Sequence, residues 1–196
     1  MRPISDMSAW TGELPVVLAA PAADTPTRRV LLRTIAARVL SLAPDNVVIS
    51  HREGRAPRVE IPLESGLHLS SASRDGMAAL AVGPGALGVD IEVVEAGAVL
   101  PWHVLHPHEC AWLKSLDAGD RETAFAQLWA AKEAYLKALR IGLVREPSRF
   151  AALPGATPGV MRIVDPERAG VEVSVSTAWI TSGERRFAVA LAELAG

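Results

Sequence analysis

The chain has 196 residues, 49% of them hydrophobic, which is enough to bury a sizeable core in one domain or in two small halves. Its net charge of −2 excludes the global basic field of a nucleic-acid-binding protein, and no stretch reaches the roughly 18 apolar residues of a membrane span. Cys110 is the single cysteine, so no disulfide forms within the chain, and we expect a cytoplasmic monomer without nucleic-acid or membrane partners.

The first half of the chain predicts a helix followed by short strands. A strand is expected at residues 15–19, and Asp24 or Thr25 is expected to cap a helix that has Pro26 in its first turn. "NVVISH" predicts another strand, and "REGRAPRVEIPLESG" predicts a loop with short extended pieces. The turn sequences "SRDG" and "GPGA" then separate three predicted strands of one meander, at residues 67–72, 77–82 and 87–94.

The second half repeats this order of elements. "WHVLHPHECAWLKSL" predicts a helix broken or begun near Pro107, and "RETAFAQLWAAKEAYLKALRIG" predicts the strongest helix of the chain, with Gly142 as its stop. Three strands are predicted after it, in "GVMRIVD", "VEVSVSTAWI" and "RRFAVALAEL". We therefore predict an α+β fold with two similar halves related by a pseudo-two-fold axis, residues 1–97 and 98–196.

Two carboxylates in "GVDIE" form the first candidate site. Alternation at period two places Asp90 and Glu92 on one face of a strand, opposite the apolar side chains. Exposed strand faces often carry acids, so a solvated face is one interpretation. A divalent cation is the other, since Mg²⁺ takes oxygen ligands and binds through a few carboxylates.

The strong helix adds three charged candidates. On a helical wheel Lys132 falls inside an apolar stripe, where its ammonium must either extend to solvent along its stem or meet an anion. Glu133 and Lys137 have the spacing of an ordinary surface pair. Alternatively, Glu133 is the third carboxylate of a metal site.

The two segments together resemble the signature motifs of the 4′-phosphopantetheinyl transferase superfamily. These are Gly-x-Asp-x-Glu and Trp-x-x-Lys-Glu-Ala-x-x-Lys, and every fixed position is met, by Gly88, Asp90, Glu92, Trp129, Lys132, Glu133, Ala134 and Lys137. The duplicated architecture is similar to the pseudo-dimeric, surfactin-synthetase-activating type. Glu109, between the two motifs, resembles an acidic residue of the family.

The resemblance extends upstream into segments where the family binds coenzyme A. "EGRAPRV" resembles a Gly-Arg/Lys-Pro segment and makes Arg55 a candidate for coenzyme A binding. "LHLSSAS" resembles a strand that ends Asn-x-Ser-His-Ser, so His68, Ser70 and Ser71 are candidates too. Ser71 stands where the family has a histidine that the resemblance places near the 3′-phosphate. Arginines 28, 29 and 33 either bind phosphate or form a solvated basic face.

The resemblance implies an activity and its parts. A transferase of this family moves the 4′-phosphopantetheine arm of coenzyme A to a serine of an apo acyl or peptidyl carrier protein, with Mg²⁺, and releases 3′,5′-ADP. Asp90, Glu92 and Glu133 would hold the ion, and Lys137, with Lys132, would meet the phosphates. Glu133 or a metal-bound water could take the serine proton.

Two other interpretations come from the same sequence. His103, His106, His108, Glu109 and Cys110 are chemically suited to zinc, although Pro107 interrupts any helical face that they share. Ser71, at the usual histidine position, favours an inactive family member that only binds coenzyme A or a carrier protein.

Overall fold

The computed structural model describes residues 1–52, 54–141, 145–168 and 170–194. Within these ranges the chain forms two five-stranded antiparallel sheets and three α-helices. The first sheet and its helix comprise β1 (Val16–Pro21), α1 (Thr25–Val39), β2 (Val48–Ser50), β3 (Arg58–Ile61), β4 (His68–Arg74) and β5 (Met77–Gly83). The second sheet and its helices comprise β6 (Leu87–Val93), α2 (Pro107–Ser115), α3 (Ala118–Ala138), β7 (Ala151–Pro154), β8 (Val160–Val164), β9 (Val173–Ser182) and β10 (Arg185–Glu193).

The two sheets have the same topology. The strand orders are β1-β5-β4-β3-β2 and β6-β10-β9-β8-β7, so each half begins with an edge strand that pairs with the last strand of that half. Helical segments follow the first strand in each half, α1 in one and α2 with α3 in the other. The α+β fold with two similar halves is thereby confirmed.

Four layers account for the burial of the apolar residues. Helix α1 packs on the outer face of the first sheet, and α3 packs on the outer face of the second. The two inner faces pack against each other through small and branched side chains, among them Ala79 and Ala81 from one sheet and Val89 and Ile91 from the other. Both faces of β6 are therefore buried, one by the first sheet and one by α3.

The predicted meander is wrong in its third strand. β4 and β5 pair as a hairpin, but β6 pairs with β10 of the second sheet instead of β5. Residues 87–93 thus lie in the second sheet, on the N-terminal side of the predicted boundary at residue 97. The alternation in "LGVDIEV" is the same for either sheet, so it cannot select the partner strand.

The predicted start of α1 agrees with the structure, whereas the end of α3 differs from the predicted one. The Asp24 side chain caps α1 by accepting a hydrogen bond from the Thr27 N–H, at 2.7 Å, and Pro26 lies in the first turn. Helix α3 ends at Ala138, and Arg140 adopts a left-handed φ of 60°. Gly142, the predicted stop, lies outside the described residues. No helix of the described part is both long and apolar enough to cross a membrane.

Candidate active site

The face of β6 that carries Asp90 and Glu92 lies under helix α3. Contact with the helix is close at Gly88, where an added Cβ would stand 2.1 Å from the Ala134 carbonyl oxygen. Asp90 is only 5% exposed, and Glu92 is partly buried. The solvated strand face is therefore excluded for Asp90, because α3 covers it.

Three carboxylates share this region, and we call Asp90, Glu92 and Glu133 the acidic cluster. Burial raises the pKa of Asp90, and the nearby ammonium of Lys137 opposes that shift. Burial, together with the charge of Asp90, raises the pKa of Glu92 to about 7. Burial and Asp90 likewise raise the pKa of Glu133. Burial is thus the largest cause of all three shifts, and a neighbouring carboxylate adds to it for Glu92 and Glu133.

Lys137 supplies one cation to the cluster. Its Nζ donates a hydrogen bond to Asp90 Oδ1 at 2.6 Å, and the lysine side chain stays partly exposed. Glu92 has a different partner, since its Oε2 lies 3.4 Å from Nε of Arg74. Lys137 and Glu133 both belong to the recognised helix motif, one turn apart on α3. The structure therefore brings all four of these predicted residues to one place.

The donor set of the cluster fits a magnesium ion. Asp90 Oδ2 is buried and has no hydrogen-bond partner among the described residues, which is costly for a carboxylate oxygen unless a cation meets it. The three acidic side chains would offer carboxylate oxygens, the ligands that Mg²⁺ prefers. The cluster is not a preformed cage, since no three His, Cys, Asp or Glu side chains of the described residues are arranged to hold a metal.

A basic cavity of about 540 Å³ opens beside Lys137, at the C-terminal end of α3. We call it the arginine cavity. Its wall combines residues from α1, from the loop after β2, from β4 and from the end of α3. Most of the residues that line it are cationic or polar: Arg29, His51, Arg52, Arg55, Ser70, Ser71, Lys137 and Arg140. Guanidinium groups at this density suit a ligand with several phosphate oxygens.

Most of the predicted upstream residues line this cavity or contact its wall. Arg55 and Ser71 line it directly. Ser70 lines it too, but its Oγ also accepts a hydrogen bond from the Val89 N–H at 3.0 Å, which ties β4 to β6. His68 does not line the cavity, but it contacts a residue that does. Its Nδ1 lies 2.7 Å from Nη2 of Arg140, which lines the cavity.

The structure corrects the prediction that Lys132 meets a phosphate. The lysine is 1% exposed, and its Nζ donates hydrogen bonds to Glu109 Oε1 at 2.5 Å and to the Phe150 carbonyl oxygen at 2.6 Å. Burial lowers the pKa of Lys132, and the carboxylate of Glu109 opposes that shift. An ammonium in an apolar stripe needs an anion, and here a protein carboxylate provides it.

The residues considered for zinc lie in α2 or just before it, and two of them cap this helix. The His106 side chain accepts a hydrogen bond from the His108 N–H, and Glu109 closes the capping box. His103 is exposed, and Cys110 Sγ lies 3.7 Å from the Trp102 carbonyl oxygen. These side chains do not converge on a common point in the described part of the chain.

Sequence reasoning missed two residues of the arginine cavity. Arg140 lies two residues beyond the end of α3 and has a left-handed φ of 60°, so helical spacing alone does not place it in the cavity. His51 ends the "NVVISH" segment just before the arginine-rich loop, and nothing in its local pattern distinguishes it.

A family model matches residues 86–191, more than half of the chain, and this range includes the acidic cluster and Lys137. The chain belongs to the 4′-phosphopantetheinyl transferase superfamily. Arg55, His68, Ser70 and Ser71 lie upstream of the matched range, so their assignment depends on their position in the cavity and on the weaker upstream resemblance.

One curated relative and two solved structures are similar to this superfamily member. The 4′-phosphopantetheinyl transferase gsp of Aneurinibacillus migulanus is 26% identical over 114 residues, which are 58% of this chain and 46% of that protein. The chain thus matches about half the length of that relative. Two ACPS structures from Chronobacterium ammoniagenes, apo and in complex with CoA, are 21% and 19% identical, with TM-scores of 0.38 and 0.37. They cover 54% and 57% of this chain, and 94% and 100% of their own.

Proposed function

We propose that this protein transfers the 4′-phosphopantetheine arm of coenzyme A to a serine of an apo acyl or peptidyl carrier protein, with Mg²⁺ as cofactor. The observation that carries the proposal is the position of the acidic cluster. It lies next to an arginine-lined cavity, with Lys137 on the boundary between them. A nucleotide end with several phosphates fits the cavity, and a pyrophosphate fits beside the cluster. Because one chain supplies both the acidic cluster and the arginine cavity, we propose a monomer as the active form.

The bonds exchanged are those of a phosphoryl transfer. The serine oxygen forms a bond to the phosphorus that carries the pantetheine arm, and the bond from that phosphorus to the bridging oxygen breaks. The serine proton goes to Glu133 or to water, and 3′,5′-ADP leaves with the other phosphate. Little covalent chemistry falls to the protein, so positioning and charge stabilisation supply most of the rate.

Each residue of the cluster has a role in that scheme. Asp90, Glu92 and Glu133 would hold Mg²⁺, which when bound supplies positive charge against the oxygens of the pyrophosphate. Lys137 can release Asp90 and donate its hydrogen bond to a phosphate oxygen instead, because its ammonium remains partly exposed. The arginines of the cavity bind the nucleotide end and hold it in register with the cluster.

The direct test is incubation of the protein with coenzyme A, Mg²⁺ and a panel of apo carrier proteins, followed by intact-mass measurement. Transfer is expected to add one phosphopantetheine group to a carrier serine. Binding of coenzyme A without any transfer across the panel would instead favour the inactive binding module that Ser71 suggests.

Asp90→Ala is expected to abolish metal-dependent transfer, on the order of a 10²–10³-fold loss in kcat, because charge stabilisation at the pyrophosphate is lost. The fold should survive, since burial already disfavours the charge of this carboxylate. Mg²⁺ should raise the thermal midpoint of the wild type and leave that of Asp90→Ala unchanged. Undiminished wild-type activity in excess EDTA would refute the metal assignment.

Lys137→Ala is expected to lower kcat more than it raises KM for coenzyme A, because its charge acts on the transition state. Glu133→Gln should mainly shift the Mg²⁺ concentration needed for half-maximal activity. Steady-state kinetics over a Mg²⁺ titration separates the two effects. A Lys137→Ala enzyme with normal kcat would show that the residue only pairs with Asp90.

Ser71→His is expected to increase the preference for coenzyme A over 3′-dephospho-coenzyme A several-fold. A protonated histidine gives a charge-assisted bond to the 3′-phosphate, worth about 1 kcal/mol more than the neutral bond of serine. The measurement is a competition between the two substrates for both enzymes. Ser73→His, at an exposed position of the same strand, is the matched control. Equal preference ratios in all three proteins would place residue 71 away from the nucleotide.

A further inference from the structure

His51 lines the arginine cavity on the side away from the acidic cluster. In the first sheet β3 separates β2 from β4, so the position after β2 lies about 10 Å from β4, at roughly 4.8 Å per strand. β4 is the strand next to the cluster, because Ser70 accepts a hydrogen bond from the N–H of Val89, the neighbour of Asp90. His51 and Lys137 therefore line different sides of one cavity.

The face of the first sheet that carries His51 also carries Ser71. Ile49 of β2 and Leu69 of β4 both pack in the core beneath α1. Side chains two positions further along a strand lie on the same face, and those positions are His51 and Ser71. Arg29 of α1 lines the same cavity. A ligand held between α1 and the sheet would thus meet His51 from one wall and Ser71 from the other.

The described residues that line the cavity include cations and no carboxylate. Its charged members come from α1, from the loop after β2, from α3 and from just beyond α3: Arg29, Arg52, Arg55, Lys137 and Arg140. Burial, together with the charge of Arg29, lowers the pKa of His51, so the ring is neutral at pH 7. A phosphate monoester carries nearly two negative charges at that pH, and its approach would favour a protonated ring that donates from both nitrogens.

Distance across the cavity indicates which phosphate of coenzyme A would meet His51. In the proposed reaction the pyrophosphate lies beside the acidic cluster and Lys137. The phosphate on the ribose 3′-oxygen is six bonds away from it, from phosphorus to phosphorus, or roughly 7 Å at 3.6 Å per three bonds. The separation of about 10 Å between β4 and β2, less the reach of the imidazole, agrees with that length.

We propose that His51 binds the 3′-phosphate of coenzyme A and makes this protein select coenzyme A over 3′-dephospho-coenzyme A. This inference rests on the proposed function. The imidazole then comes from the end of β2, in a chain whose β4 carries serine at position 71. The arginines of the cavity bind any phosphate that enters it, whereas His51 is too far from the pyrophosphate to contribute to both.

Paired affinities for the two ligands test the inference. The dissociation constants of coenzyme A and of 3′-dephospho-coenzyme A are measured by calorimetry for the wild type, His51→Ala and His51→Gln, alongside transfer from each ligand by intact mass. His103→Ala is the matched control, because this histidine is exposed and does not line the cavity. The double variant His51→Ala with Ser71→His moves the imidazole from one wall of the cavity to the other.

The expected result is a loss of discrimination between the two ligands. His51→Ala should lose about tenfold of the preference for coenzyme A, because one charge-assisted hydrogen bond is removed. The whole loss should lie in the Kd of coenzyme A, with that of 3′-dephospho-coenzyme A unchanged. His51→Gln, which keeps a neutral donor, should lose less, and the double variant should recover most of the preference. His103→Ala should bind both ligands as the wild type does.

Other outcomes separate this inference from the proposed function. An unchanged preference in His51→Ala, or an equal weakening of both ligands, would overturn the role of His51, since a residue that only shapes the loop would affect both alike. The expected loss of preference in a protein that shows no transfer would refute the transferase activity and still support the role of His51. Failure of the wild type to bind either ligand would overturn both.

Discussion

Glu109→Ala is expected to lower the free energy of unfolding by about 3–5 kcal/mol, because it leaves a buried ammonium without its anion. Glu109 is fully buried, and Oε1 accepts hydrogen bonds from Lys132 Nζ and from the Ala152 N–H, at 2.5 and 2.7 Å. Its other oxygen, Oε2, accepts from the His106 N–H at 2.8 Å. One carboxylate thus joins α2, α3 and β7, and its loss should appear in urea unfolding as a lower midpoint.

A double variant without either charge separates the effect of the Glu109–Lys132 ion pair on stability from the effect of side-chain packing. Glu109→Gln with Lys132→Met removes both charges at similar volume, and it should recover most of the stability that Glu109→Ala loses. The exposed pair of Glu146 and Arg149, with N and O 3.5 Å apart, is the control, and Glu146→Ala should cost at most about 0.5 kcal/mol.

The same double variant also decides the role of Lys132. If the lysine is structural, the variant should keep its KM for coenzyme A. A normal midpoint for Glu109→Ala, together with a raised KM for Lys132→Met, would restore the original prediction that Lys132 binds phosphate.

Local patterns were sufficient to predict most of the site. Period-two alternation correctly placed Asp90 and Glu92 on one face of a strand, and helical spacing placed Glu133 and Lys137 on one side of α3. The residues of the acidic cluster are predictable because two short segments contain all of them.

Interactions between distant segments were not predictable in this way. The partner of Lys132 lies 23 residues away on another helix, so the wheel could show that an anion was needed but not which one. The pairing of β6 with β10 joins residues about one hundred positions apart, and the short loop after β5 is compatible with a hairpin. What decides the pairing is the burial of both faces of β6, a property of the assembled layers.

Gly88→Ala is expected to impair both the fold and the site, because it forces β6 away from α3. An added Cβ would stand 2.1 Å from the Ala134 carbonyl oxygen, 2.4 Å from the Ala138 nitrogen and 2.8 Å from Cβ of Lys137. Two of these atoms are helix backbone and cannot rotate aside, so strand and helix must separate. Overpacking of this kind costs on the order of 3 kcal/mol or more.

Separation of β6 from α3 at Gly88 would also displace Asp90, which lies two residues further along β6. Asp90 Oδ1 and Lys137 Nζ lie 2.6 Å apart across the interface that the new methyl group would widen. Because misplacement by about 1 Å can cost a hundredfold in rate, Gly88→Ala should lose at least that factor in kcat, even in the fraction that remains folded. Gly85→Ala is the control, since its nearest neighbour would be 4.0 Å away, and it should be nearly neutral in both assays. A Gly88→Ala enzyme with the unfolding midpoint and kcat of the wild type would mean that β6 and α3 are not in the contact described, and the geometry of the acidic cluster would then be wrong as well.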